Sequence, residues 1–145
     1  MRRWFTIALL VGTAVCTFAS KDQATVQELA SRADAAQPGD KPPLYIEIAE
    51  RQLKSADELY TDGKVEEAQS ALQDVVTYSS KAHDAAVQSN KKVKNTELAV
   101  RHMAHRLRDL KHTLNFEDQP PVQTAVDHLQ NMADDLLKHM FGKGK

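Results

Sequence analysis

Between Leu44 and Tyr60 apolar residues return at steps of three and four: Tyr45, Ile48, Ala49, Leu53, Ala56, Leu59 and Tyr60. That spacing draws one stripe along an α-helix. Glu47 with Arg51 and Glu50 with Lys54 add acid-before-base pairs at the favourable four-residue spacing. A second stripe runs through Val122, Ala125, Val126, Leu129, Met132, Ala133, Leu136, Leu137, Met140 and Phe141. Both segments open on the same phrase, Asp40-Lys41-Pro42-Pro43 and Asp118-Gln119-Pro120-Pro121. Proline suits the first turn of a helix because its missing N–H has no partner there, and a nearby Asp complements the free amides.

The stretch from Val65 to Leu114 contains neither Pro nor Gly. Its stripe passes through Ala68, Leu72, Val75, Ser79, Ala82, Ala86, Val93, Thr96, Val100, Met103, Leu107 and Leu110. One helix of roughly 75 Å is geometrically possible here. However, the stripe thins at Ser89-Asn90-Lys91-Lys92, and Asn and Ser prefer caps to helix interiors. A break there, with Asn95 as the N-cap of the next helix, lets two helical hairpins bury each other's apolar faces.

The expectation is an all-α protein with helices near 43–62, 64–90, 95–114 and 121–141, and a weaker one near 22–36. These form an antiparallel four-helix bundle, two helical hairpins folded together. The alternative is an elongated rod around one long central helix. The domains expected are a leader over 1–19, a short helix and linker over 20–42, and the bundle over 43–145.

The leader changes the setting. Met1-Arg2-Arg3 is a short positive start, Trp4 to Cys16 is apolar apart from Thr6, Gly12 and Thr13, and Thr17-Phe18-Ala19 suits signal peptidase. The apolar run is about 13 residues, short of the roughly 20 needed to span a bilayer. Val15 is bulky where a lipoprotein signal carries a small residue before its cysteine, so lipidation of Cys16 fits poorly. The implied location is secreted or bacterial periplasmic, with no transmembrane helix after cleavage. Cleavage after Ala19 removes Arg2 and Arg3 and no acid, moving the formal charge from −1 to −3. It also removes the only cysteine and the only tryptophan. Disulfides, thiolate chemistry and cysteine metal sites are thereby excluded from the mature chain.

The run Ala56-Asp57-Glu58-Leu59-Tyr60-Thr61-Asp62-Gly63-Lys64-Val65-Glu66-Glu67-Ala68, followed by Leu72, resembles the turn region of a tetratricopeptide helix hairpin. Gly63 can end a helix in left-handed geometry, and the small Ala68 permits close helix approach. Gln52 and Val75 stand where that family carries an aromatic and an alanine, so the likeness spans about one repeat. A generic helix hairpin accounts for the same residues. The whole chain resembles uncharacterised secreted helical proteins of bacteria, a resemblance that implies no activity.

Candidate chemistry is sparse. Six histidines lie off the apolar stripes. His102 and His105, three apart, could chelate a surface Cu, Ni or Zn ion with help from Met103 or His128. No Cys-x-x-Cys-His, Glu-x-x-His or His-Glu-x-x-His spacing occurs, and no glycine-rich phosphate loop. No cofactor and no catalytic residue are assigned; the chain is read as not an enzyme.

Charge is uneven. Residues 44–74 carry eight acids against Arg51, Lys54 and Lys64. Residues 91–111 carry Lys91, Lys92, Lys94, Arg101, Arg106, Arg108 and Lys111 against Glu97 and Asp109. In a bundle the two regions could face each other. Otherwise the basic face serves an acidic partner or an anionic envelope surface. Nucleic acid is disfavoured by location and by the lack of interleaved aromatics. The function expected is protein–protein contact, through the Gly63 hairpin and the basic stretch. The alternatives are a surface metal-binding bundle and a peripheral envelope-binding protein.

Overall fold

A computed structural model describes residues 20–142, with side chains from residue 26 onward. The expected leader over 1–19 and the last residues, 143–145, lie outside the described residues. Among the described residues there are five α-helices and no strand: α1 (Ser20–Ala35), α2 (Lys41–Thr61), α3 (Val65–Ser89), α4 (Val93–Thr113) and α5 (Gln119–Phe141). A single 3-10 turn, Phe116–Asp118, leads into α5. Among the described residues no helix is long and apolar enough to cross a membrane.

The helices start and stop for identifiable reasons. Pro42-Pro43 and Pro120-Pro121 occupy the first turns of α2 and α5. Asp40 and Asp118 sit at the cap positions, but neither side chain makes a capping hydrogen bond, so their help is limited to charge. The α2–α3 turn is a Schellman motif. Lys64 N donates to Leu59 O at 2.9 Å and Gly63 N to Tyr60 O at 3.1 Å. Gly63 takes φ +74° there, and a Cβ added to it would meet nothing within 4 Å.

The uninterrupted helix from 65 to 114 does not form; α3 ends at Ser89 and α4 begins at Val93. Asn90 and Lys92 both adopt left-handed geometry, with φ 54° and 60°. The N-cap of α4 is therefore Lys92 and not Asn95, which falls inside the first turn. The reason is burial. Val93 packs with Ala86 and Leu136 in a small apolar cluster, and winding must already have begun to bring it there. Ser89 Oγ supports the turn by donating to Ala85 O at 2.7 Å and accepting from Lys91 N at 3.2 Å. Lys91 lies over Gly39, where an added Cβ would fall 2.5 Å from Lys91 Cδ.

α2 packs most extensively on α3, and α4 on α5; α1 lies on α2, α3 touches α4 and α5, and α2 touches α4. The predicted stripes point inward. Ile48, Leu53, Val75, Val100, Met103, Leu107, Leu129 and Leu136 are all fully buried. Each buried side chain of this size contributes about 1.5–3 kcal/mol. Leu137 and Phe141 depart from expectation, at 38% and 78% exposed. They stand on the flank of α5 that carries Asp134 towards α4, not on the flank facing the core.

Candidate interaction surface

α4 turns its apolar stripe inward, so its basic residues must project from the remaining arc. Lys91, Lys92, Lys94 and Arg106 are exposed, while Arg108 and Lys111 are half-buried. Arg101 Nε reaches Glu97 Oε1 at 2.6 Å, and Arg101 Nη2 lies 3.5 Å from Asp134 Oδ1 on α5. Lys111 Nζ donates to Gln123 Oε1 at 2.6 Å. Among the described residues Lys91, Lys92, Lys94, Arg106 and Arg108 enter no ion pair.

Among the described residues the acidic stretch 44–74 makes no ion pair with this face, although Glu47 and Glu50 share a groove with Lys92, and Asp57 shares one with Arg106. The cross-region pairing that the charge pattern allows is absent among the described residues; Arg51 pairs with Glu47 and Lys54 with Glu58, both within α2. The α2–α4 contact is apolar at its centre, where Leu53 and Leu110 line one shallow groove with Asp57 and Arg106 at its rim. Gly63 and the basic turn also fail to share a surface. Tyr60, beside Gly63, feels the charge of Asp118 at one end of the molecule. Lys91 packs on Gly39 at the start of α2, a 21-residue helix away.

A groove of about 500 Å³ runs along the α4–α5 seam, lined by Leu98, Arg101, His105, Arg108, Gln130 and Ala133. His102 also borders it. His102 and His105 are both exposed, and Met103 between them is fully buried, so it is not available as a third ligand. Among the described residues no group of three or more His, Cys, Asp or Glu side chains is placed to hold a metal ion.

Sequence reasoning did not single out Glu97, 4% exposed, which fixes Arg101 from within the core edge. The four-residue spacing was the available signal. It also missed Leu98, an exposed apolar residue at 53% beside that pair, and His83. His83 Nδ1 lies 2.9 Å from Asp84 Oδ1 and its Nε2 2.8 Å from Asp135 Oδ2, tying α3 to α5. Burial opposes its charge, but the two carboxylates outweigh it and raise the pKa above the usual 6.5. When protonated, the ring can donate to both acids at once and so tie α3 to α5.

No protein-family model, curated protein or solved structure matches the chain.

Proposed function

We propose that this chain is a non-catalytic, secreted or periplasmic helical protein that works by protein–protein contact. Its hairpins α2–α3 and α4–α5 are read as an antiparallel four-helix bundle whose role is to hold α4 rigidly at the surface. One observation carries the proposal: the five basic residues from Lys91 to Arg108 that have no ion-pair partner among the described residues. Lys91, Lys92 and Lys94 crowd one turn, and Arg106 and Arg108 lie on the two flanks of α4; like charges without ion pairs add no stability to a bundle, whereas an acidic partner gains orientation and encounter rate from them.

Crosslinking the tagged mature chain in its native envelope, followed by mass spectrometry, tests this. The expected result is one dominant protein, joined through Lys91, Lys92 or Lys94 and lost on Lys92→Glu with Arg106→Glu. Reproducible hydrolytic or transferase activity in the purified chain overturns it. Salt-sensitive sedimentation with anionic vesicles, without a protein adduct, replaces it by the envelope-binding reading. The exposed pair His102 and His105 supports a second reading, a surface Cu, Ni or Zn site. Equilibrium dialysis of the wild type against His102→Ala with His105→Ala decides it.

A further inference from the structure

The outer flanks of α4 and α5 carry two stripes that match each other level by level. On α4 the stripe is Lys94, Leu98, Arg101 and Arg108; on α5 it is Asp127, Asp134, Leu137 and Phe141. Within each stripe the steps are those of one helix face. Two contacts set the register of this antiparallel pair, Arg101 with Asp134 and Lys111 with Gln123. Moving along both helices from these contacts places Arg108 level with Asp127, Leu98 with Leu137, and Lys94 with Phe141. Of these eight residues α4 supplies only bases and α5 only acids as its charges; Lys138 and Glu97 border the stripes at the same helical spacing, Lys138 as an exposed base level with Glu97, which is buried against Arg101.

We propose that this α4–α5 face is the interface of a homodimer in which α4 of one copy packs antiparallel on α5 of the other. A two-fold axis parallel to the helices exchanges the two stripes while keeping every residue at its own level. Arg108 of each copy then faces Asp127 of the other, Arg101 faces Asp134, and Leu98 faces Leu137. Lys94 meets the face of Phe141, an arrangement favourable to a cation. The apolar end of the face is exposed in the single chain, with Leu98 at 53% and Phe141 at 78%. Charged residues on a surface that pairs with itself about such an axis are complementary when opposite signs stand at equal levels on its two halves, and this one meets that twice.

The face is small. From Lys94 to Arg108 it is about 21 Å long, and two adjacent helices make it about 20 Å wide. Each copy therefore buries about 400 Å², and the pair about 800 Å², which is the range of weak, concentration-dependent association. The dimer rests on reading α4 as a contact surface, and it uses Lys94 and Arg108 but not Lys91, Lys92 or Arg106.

Sedimentation equilibrium of the purified mature chain over a wide concentration range is the test. The expected result is a reversible monomer–dimer equilibrium. Leu98→Glu should weaken it about ten-fold or more, with helical content unchanged because the residue is exposed. Charge reversal supplies the sharper test. Arg108→Asp alone and Asp127→Arg alone should each dimerise about ten-fold more weakly, since each places like charges opposite one another. An equimolar mixture of the two should recover association, because every reversed residue then meets its complement. Recovery in the mixture supports the geometry. A wild-type chain that stays monomeric overturns the dimer, while the envelope crosslinking separately judges the contact reading. A dimer indifferent to Leu98→Glu and to both charge reversals overturns this interface.

Discussion

Tyr45 donates its hydroxyl to Asp34 Oδ1 at 2.6 Å, and that bond joins α1 to α2 across the turn between them. Burial, the bond to Asp34 and the carboxylate's charge push the Tyr45 pKa up to about 12. Tyr45→Phe removes the bond while keeping the ring in place, and Asp34 is exposed enough to rehydrate. The expected loss is about 0.5–1 kcal/mol, concentrated in α1, and hydrogen exchange of α1 amides measures it. His83 gives a pH dependence of known sign. Its pKa is raised in the folded chain, so its contribution is full below the unfolded value near 6.5 and is lost as pH rises through the raised one. Asp135 is well exposed, which keeps the effect small. Asp135→Asn should cost about 0.5–1 kcal/mol at pH 6 and progressively less as pH rises through the raised pKa of His83, as read by urea melts across that range.

Turn chemistry decides the elements. Gly63 at φ +74° has open space around it, so Gly63→Ala meets no clash and suffers only the left-handed backbone. A loss of about 1 kcal/mol is expected. Lys92 holds φ 60° with a full side chain, so Lys92→Gly should be neutral or stabilising by about 0.5 kcal/mol. Opposite signs for two substitutions in two turns, measured by chemical denaturation, check the assignment of strain. The helices themselves were legible in the sequence, because period and Pro/Gly placement point to the same limits. The start of α4 was not. Asn95 has the better local chemistry for a cap, but the burial of Val93 against Ala86 and Leu136 is a long-range term, and it wins.

At the scale of the molecule, stability rests on apolar packing that joins all five helices. Leu107 and Leu129 are fully buried members of that core. Replacing either by Ala should destabilise the chain by about 2–5 kcal/mol, measured as a fall in the thermal midpoint. The apolar stripes announced this core residue by residue. The α4–α5 face was not legible in the same way. Its residues are charged or isolated apolar positions that, along the chain, look like any solvated flank. Their meaning appears only once Arg101 meets Asp134 and fixes which flanks lie side by side. Ser79 marks a further limit. Its position on the α3 stripe foretold burial, yet nothing local foretold that its hydroxyl would lack a hydrogen-bond partner, as that of Tyr60 also does.

The tyrosine cluster gives the chain an optical probe of its own. Tyr45 and Tyr78 lie with ring centroids 6.3 Å apart, and Lys81 Nζ stands within 5.6 Å of both rings. A chain cleaved after Ala19 carries no tryptophan, so its ultraviolet emission comes from Tyr45, Tyr60 and Tyr78. Two of those three emitters sit where α1, α2 and α3 meet. Emission will therefore report the detachment of α1 specifically, whereas circular dichroism is dominated by the helical content of α2 to α5.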